Sequence, residues 1–281
     1  MQQFSIRIGK QLLEWDKPIV MGIVNVTPDS FSVHCSSCTE AEVLASVTMA
    51  VQQGASMLDI GGYSTRPGAV EVSEDEEYRR LEVALRTIRS HYSEMPLSID
   101  TFRSKVAERV VNQFGDVVIN DVSGGEWDSD MFSFVARSRV PYILTHTGWK
   151  DIHQSLRPRR YEDILSEVLD FFQTGVDRLS RMGVTDIILD PGFGLGKSVE
   201  ESYCLLRHLD LFRTFHLPLL AGLSRKSMFF KPLGITPMQA LNATTAGNML
   251  ALERGASILR VHDVSEAQQA VQIYCLTHQN D

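Results

Sequence analysis

Short apolar runs recur along the chain, each ending in a polar or glycine-rich turn, and most are followed by a segment of helical period. Eight such runs are Ile19 to Val26, Met57 to Ile60, Leu97 to Ile99, Val117 to Ile119, Tyr142 to Leu144, Ile187 to Leu189, Leu219 to Leu223 and Ser257 to Val261. The helical segments between them include Glu40 to Gln53, Glu74 to His91, Lys105 to Phe114, Ser129 to Arg137, Tyr161 to Met182, Glu200 to Phe215 and Met238 to Glu253. Strand and helix alternate throughout, the pattern of a parallel sheet with helical crossovers. Eight repeats in this length are what a (β/α)8 barrel requires, whereas a doubly wound open sheet has fewer strands and a glycine fingerprint after the first. The predicted fold class is α/β, a single-domain (β/α)8 TIM barrel with its active site at the C-terminal ends of the strands. No linker rich in Pro, Ser or Gly and no shift in composition interrupts the chain, so residues 1–281 are taken as one domain. Residues 5 to 16 fit a small hairpin plugging the bottom of the barrel.

Composition narrows the partners rather than the fold. With 27 basic and 35 acidic side chains, the net charge of −8 argues against a nucleic acid as the main ligand and leaves room for a small anion in a local pocket. The opening stretch, MQQFSIRIGKQLLEWDKP, has no basic patch followed by an apolar run, and no later run approaches a membrane span. The expectation is a cytoplasmic protein with no membrane partner. Its four cysteines (Cys35, Cys38, Cys204, Cys275) are too few for a disulfide scaffold in 281 residues.

In a barrel the loops after the strands gather at one face and carry the chemistry, so the strand ends belong together. They hold Asn25, Thr27 and Asp29; Asp59 with GGYSTRPG (61–68); Asp100; Asn120 and Asp121 with SGG (123–125); His146; Asp190 in DPGFGLGK (190–197); Ser224, Arg225, Lys226 and Ser227; and Arg260, His262 and Asp263. Asp or Asn after a single strand often only forms a turn or caps a helix, but polar residues at nearly every strand end exceed what capping needs. Two chemistries separate. Asp100, Asn120 and Asp190 are acceptor or amide groups that, pointing inward, must meet N–H donors, as on a flat heterocycle with a guanidine-like edge. Arg66, Lys226, Arg260 and His262 form the kind of cluster that holds phosphate, and Asn25 offers a hard oxygen suited to Mg2+ beside phosphate. The ligand implied is an aza-heterocycle joined to a pyrophosphate.

Seven blocks in order carry a closer likeness: MGIVNVTPDSFS (21–32), DIGGYSTRPGA (59–69), SIDTFRSKVA (98–107), INDVSGG (119–125), LDPGFGLGK (189–197), GLSRKSMF (222–229) and RVHDV (260–264). Over residues 18 to about 268 the chain resembles the dihydropteroate synthase family. The resemblance implies an Mg2+-dependent transferase that condenses 6-hydroxymethyl-7,8-dihydropterin pyrophosphate with 4-aminobenzoate, releasing pyrophosphate and giving 7,8-dihydropteroate for folate synthesis. By matching motif positions, it implies that Asp190 grips the pterin's amino and ring N–H edge, helped by Asp100 and Asn120. Lys226 would meet the acceptor side of the pterin, and Arg260 would lie along the ring and touch phosphate. Asn25 would coordinate Mg2+, Arg66 and His262 would hold pyrophosphate, and Thr65, Pro67 and Ser227 would form the aminobenzoate subsite. A homodimer is implied as well.

The chain departs from the family pattern in several places. After DSFS stand Val33, His34 and Cys35 where Asp and two glycines are usual; Tyr63 replaces Glu; Thr145, His146 and Thr147 stand where methionines flank the histidine, implying a more polar pterin-pocket wall; Leu195 replaces an aromatic and Ser202 an Asn. Cys35 and Cys38 have redox or zinc spacing but no second ligand pair, and are taken as incidental. The acidic run Glu74 to Glu77 is taken as a solvated helix start meeting its dipole. Two alternatives remain open: a non-catalytic pterin-binding paralogue, separated by a turnover assay, and a pterin-dependent methyltransferase domain, disfavoured by Arg66, SRKS and RVHDV and by the lack of a following cobalamin module.

Overall fold

The computed structural model describes residues 3–27, 39–64, 71–149 and 159–278. A first antiparallel hairpin, β1 (Phe4–Ile8) and β2 (Gln11–Trp15), precedes eight parallel strands: β3 (Ile19–Asn25), β4 (Met57–Gly61), β5 (Leu97–Asp100), β6 (Val118–Asp121), β7 (Tyr142–Thr145), β8 (Ile187–Asp190), β9 (Leu220–Ala221) and β10 (Ile258–Val261). The strands run in the order β8-β7-β6-β5-β4-β3-β10-β9, and a bridge from Leu189 to Leu219 brings the two ends together. The sheet thus forms the expected barrel. Its weak seam is β9, predicted over Leu219 to Leu223 and reduced to two residues. Pro218 has no N–H to give, and the Leu219 N–H goes to the Ser257 hydroxyl (3.1 Å) instead of a strand carbonyl.

Around the barrel lie α1 (Glu40–Gln52), α2 (Glu74–His91), α3 (Ser104–Phe114), α4 (Met131–Ser138), α5 (Ile164–Arg181), α6 (Val199–Arg207), α7 (Ser227–Leu233), α8 (Leu241–Glu253) and α9 (Val264–Thr277). Local chemistry sets several starts. Thr39 and Ser198 each close a capping box with a glutamate three residues on, and Asp163 accepts the Leu165 N–H (3.0 Å), so the helix predicted from Tyr161 begins at Ile164. The helix expected over Glu200 to Phe215 breaks at His208 (φ −114°, ψ 24°) and continues as a 3-10 turn, Leu209–Phe215; that expected from Met238 likewise opens as a 3-10 turn, Pro237–Ala240. No helix among the described residues is long and apolar enough to cross a membrane.

Side chains two apart on a strand share a face, and this alternation sorts the core in two. Val20, Leu58, Ile99, Ile119, Leu144, Leu189 and Leu259 point outward and pack in one buried cluster with residues of the helices. The inward set, Ile19, Met21, Met57, Val118, Ile143, Ile188, Leu220 and Ile258, forms a second cluster with Ile6, Ile8 and Trp15 of the hairpin. The hairpin therefore plugs the barrel with three of its own apolar side chains.

Candidate active site

On five of the strands the next inward position toward the C-terminal end is charged or an amide. Two residues beyond Met57, Val118, Ile188 and Ile258 come Asp59, Asn120, Asp190 and Arg260, and Asp100 follows Ser98 in the same way. Asp59, Asn120 and Asp190 are 0%, 6% and 8% exposed, so each needs a partner inside the barrel. The cation among them supplies part of it. Arg260 donates from Nε to Asp59 Oδ2 (2.6 Å) and from Nη2 to Asp100 Oδ2 (2.6 Å), tying together two carboxylates from adjacent strands. Asn120 Nδ2 donates to the same Asp59 oxygen (3.1 Å). An ionised carboxylate only accepts, so the amide turns its NH2 to Asp59 and keeps its carbonyl oxygen for another donor.

Charge in this layer is finely held. Burial pushes the Asp100 carboxyl up to about 7, with Arg260 opposing and Asp59 adding to the rise. Burial also raises Asp190, against the Gly192 N–H on its Oδ1 (2.8 Å) and the nearby Lys226, Arg260 and Lys197. Burial alone would lower the Arg260 guanidinium, but Asp59 and Asp100 outweigh it and hold the group firmly charged.

A cavity of about 670 Å³ opens above this layer, lined among others by Asn25, Asp100, Lys226, Ser227, Arg260 and His262. Residues singled out in the sequence at the ends of β3, β5, β9 and β10 therefore meet at one opening. Asn120 is linked to it through Asp59 and Arg260; Asp190 lies just behind Gly222, where an added Cβ would stand 3.8 Å from Asp190 Oδ2. Gly61 matters for the same reason: a Cβ there would sit 3.2 Å from Asn25 Oδ1 and 3.6 Å from the Asp100 Cβ, so its bare backbone lets these two side chains share the cavity. Asp29, Thr65, Arg66, Pro67, Val33, His34, Cys35 and Cys38 lie outside the described residues. Among those described, no group of three His, Cys, Asp or Glu side chains could hold a metal.

The family described as "Pterin binding enzyme" matches residues 21–262. A dihydropteroate synthase of Synechocystis sp. is 38% identical over 271 residues, 95% of this chain and 92% of that protein. The solved dihydropteroate synthase of Xanthomonas albilineans with 4-aminobenzoic acid superposes with a TM-score of 0.89 at 35% identity, covering 99% of this chain and 98% of that one. The same enzyme in complex with 7,8-dihydropteroate gives a TM-score of 0.85 at 33% identity, covering 99% of both chains. The chain belongs to the dihydropteroate synthase family.

Within that family frame, the structure gives roles to strand-end residues that the sequence names without one. Asp59 is the hub of the polar layer; its signal was the two-residue step from Met57, which puts it on the inward face. Asp121, next to Asn120, has the opposite orientation and a different role. It accepts from Ser123 N (2.8 Å), Ser123 Oγ (2.7 Å), Gly125 N (2.9 Å) and Tyr142 OH (2.7 Å), fixing the turn after β6. Arg225 takes a left-handed backbone (φ 53°) and grips Asp263 through Nε (3.0 Å) and Nη2 (2.6 Å), clasping the loops after β9 and β10 that carry Lys226 and His262.

One expectation is corrected. Glu77 does not belong to a solvated face: it is fully buried, accepts from Thr101 Oγ1 (2.7 Å) and Arg103 Nη1 (2.9 Å), and anchors the loop after β5. Arg103 in turn lies 4.9 Å from the centre of the Tyr63 ring, so the Tyr63 that departs from the family pattern is held by a cation over its face. Thr145, His146 and Thr147 are buried; Thr145, two residues beyond the inward Ile143, pairs with Asp190 in the sheet, and His146 packs edge-on to Phe171 (5.1 Å). Burial, with Lys197 and Arg159 adding, pushes its imidazole down to about 2, so it is neutral at ordinary pH.

Proposed function

We infer that this chain condenses 6-hydroxymethyl-7,8-dihydropterin pyrophosphate with 4-aminobenzoate to give 7,8-dihydropteroate and pyrophosphate. The observation that carries the reading is the polar inward layer, where acceptors for a heterocycle's N–H groups adjoin Lys226, Arg260 and His262 around one cavity. In this reading Asp190 and the Asn120 carbonyl oxygen accept from the pterin edge, with Asp100 beside them. Lys226 meets the pterin's acceptor side. Arg260 lies along the ring and, with His262 and Arg66, faces pyrophosphate. Ser227, Thr65 and Pro67 belong to the aminobenzoate subsite.

The bond between the pterin methylene carbon and the pyrophosphate oxygen breaks, and its electron pair departs with pyrophosphate. The conjugated dihydropterin spreads the positive charge left behind. The aniline nitrogen then forms the new C–N bond and gives up a proton, which the released pyrophosphate can take. The protein's part is to steady the departing charge with fixed cations and to keep water from the methylene.

Magnesium fits the cavity's chemistry: Asn25 presents a hard neutral oxygen beside Gly61 and Asp100, and one such ligand with phosphate oxygens is a common way of holding this ion. Asn25 would hold it, and when bound it would neutralise charge on the leaving group. The homodimer belongs to the same reading and is supported by the exposed apolar side chains Tyr203, Leu233 and Leu250 on the mutually packed helices α6, α7 and α8. Product formation from the two substrates, its loss on chelation and its return with Mg2+ are the expected results, and sedimentation should give twice the chain mass. Tight pterin binding with no product would mark a non-catalytic paralogue and defeat the proposal.

A further inference from the structure

Lys197 is 5% exposed and makes no ion pair among the described residues. Its ammonium instead donates to three backbone oxygens: His146 O at 3.0 Å, Gly192 O at 2.8 Å and Leu195 O at 3.3 Å. The first belongs to the loop after β7, the other two to the glycine-rich loop after β8 that opens with Asp190. That loop has little stiffness of its own, since Gly192, Gly194 and Gly196 all sit at positive φ (68°, 74° and 67°). It is packed tightly on the neighbouring loop: a Cβ on Gly192 would collide with the His146 carbonyl, and one on Gly196 would come within 2.7 Å of the Gly148 backbone.

We propose that Lys197 is the positioning residue for the pterin anchor Asp190, its ammonium serving as the cationic centre around which the glycine loop closes. The proposal rests on the functional reading above, which gives Asp190 its ligand. An ammonium has three N–H donors and meets three carbonyls; Gly192 O and Leu195 O also accept from Leu195 N (3.1 Å) and Gly148 N (3.0 Å), so the His146 carbonyl is the one that the lysine alone satisfies among the described residues. Gly192 sits at the centre of this arrangement, since its carbonyl oxygen accepts from Lys197 while its N–H, in the preceding peptide unit, donates to Asp190 Oδ1 (2.8 Å). The lysine therefore holds one side of the glycine whose other side holds the carboxylate, leaving Asp190 Oδ2 turned toward Gly222 and the cavity. The groups acting on the ammonium agree with this division of labour. Burial lowers it to about 7 and Lys226 adds to the fall, whereas Asp190 and Glu201 favour the charged form, and the adjacent His146 ring stays neutral.

The test is titration of the full chain with 6-hydroxymethyl-7,8-dihydropterin pyrophosphate, comparing wild type with Lys197→Met, which matches the length of the stem and removes the donors. The expected loss of affinity is about tenfold or more, the effect of leaving the buried His146 carbonyl unmet and the glycine loop untethered, with the KM for 4-aminobenzoate within about twofold. The ratio of wild-type to variant affinity should shrink as pH rises from about 6 to 9, as the wild-type ammonium loses its proton. Affinity within about twofold of wild type, or a large loss whose ratio does not change with pH, overturns the proposal. Should Lys197→Met fail to fold, Lys197→Gln, which keeps two amide donors without charge, should show a smaller loss of several-fold whose ratio to wild type shrinks over the same pH range. Asp190→Asn separates the two readings. If it leaves pterin affinity intact, the site assignment fails; if it abolishes binding while Lys197→Met does not, this proposal alone fails.

Discussion

The barrel interior is two regions built on the same strands. Its lower layer, Met57, Val118, Ile188 and Ile258 under the hairpin's Ile6, Ile8 and Trp15, is apolar and closed. Its upper layer, Asp59, Asn120, Asp190 and Arg260, differs by one two-residue step along each strand, is charged, and lies beneath the cavity that Arg260 lines. Both layers sit on the same extended backbone, so the difference lies in side-chain chemistry. Burial stabilises the first, at about 25 cal/mol per Å² of apolar surface removed from water. In the second, burial is a cost: carboxylates are desolvated, and the return comes from Arg260 inside the layer and from a ligand that matches it. The lower layer is accordingly where stability should reside, and the upper layer where affinity should.

The largest effect that separates them is expected at Trp15. It is buried where the hairpin plugs the barrel and packs near Phe4 (ring centres 6.2 Å apart). Trp15→Ala should lower unfolding free energy by about 3–5 kcal/mol, measured by denaturant titration. Below the transition, activity per folded molecule should stay within about twofold of wild type. A marked loss of activity with unchanged stability would show that the two layers are not independent.

In the upper layer the matching change is Asp190→Asn. It replaces an acceptor with a group that can present a donor to a donor, so pterin affinity should fall by about 1–3 kcal/mol, the cost of an unmatched buried polar pair. Calorimetric titration reads that loss. Because burial already raises the Asp190 carboxyl, removing its charge should leave the midpoint of thermal unfolding equal or higher. A fall in stability as large as that at Trp15, with affinity intact, would make Asp190 a structural residue.

The same contrast explains how much was legible before the structure. The alternation of apolar runs and helical segments located all eight strands, and the interior face follows from a two-residue period, so the barrel, its plug and the strand-end residues were accessible. Orientation and pairing were less so. Asp59 and Asp121 are both acidic residues at strand ends; one is the hub of the polar layer and the other ties a turn, a distinction set by which face of its strand each occupies. Glu77 looked like any residue in an acidic helix start until Thr101 and Arg103, far along the chain, came to meet it. Lys197 ended a glycine motif with nothing in the local sequence to show that its partners would be carbonyls, one of them from another strand's loop. Contacts between loops depend on register and closure, which periodicity does not encode.

The smallest expected effect is a pH dependence confined to the upper layer. With its carboxyl pushed up from 3.8 to about 7, Asp100 keeps its proton in the fold over a range where the unfolded chain has lost it. The folded state then binds more protons than the unfolded one, so Asp100's contribution to stability is largest on the acid side of this window and declines as pH rises through it. Asn at this position has no such proton to hold. The stability of wild type relative to Asp100→Asn should therefore decline between about pH 4 and 7 and level off above, with Arg260 limiting the size of the change because it favours the ionised form. The difference between wild type and Trp15→Ala, made in the apolar layer with no titrating group, should stay flat over the same range. Denaturant titrations of the three proteins at several pH values provide the comparison. A wild-type-to-Asp100→Asn difference that is flat or rises with pH would mean that Arg260 holds Asp100 ionised in the fold, and that the upper layer is a closed ion pair before any ligand arrives.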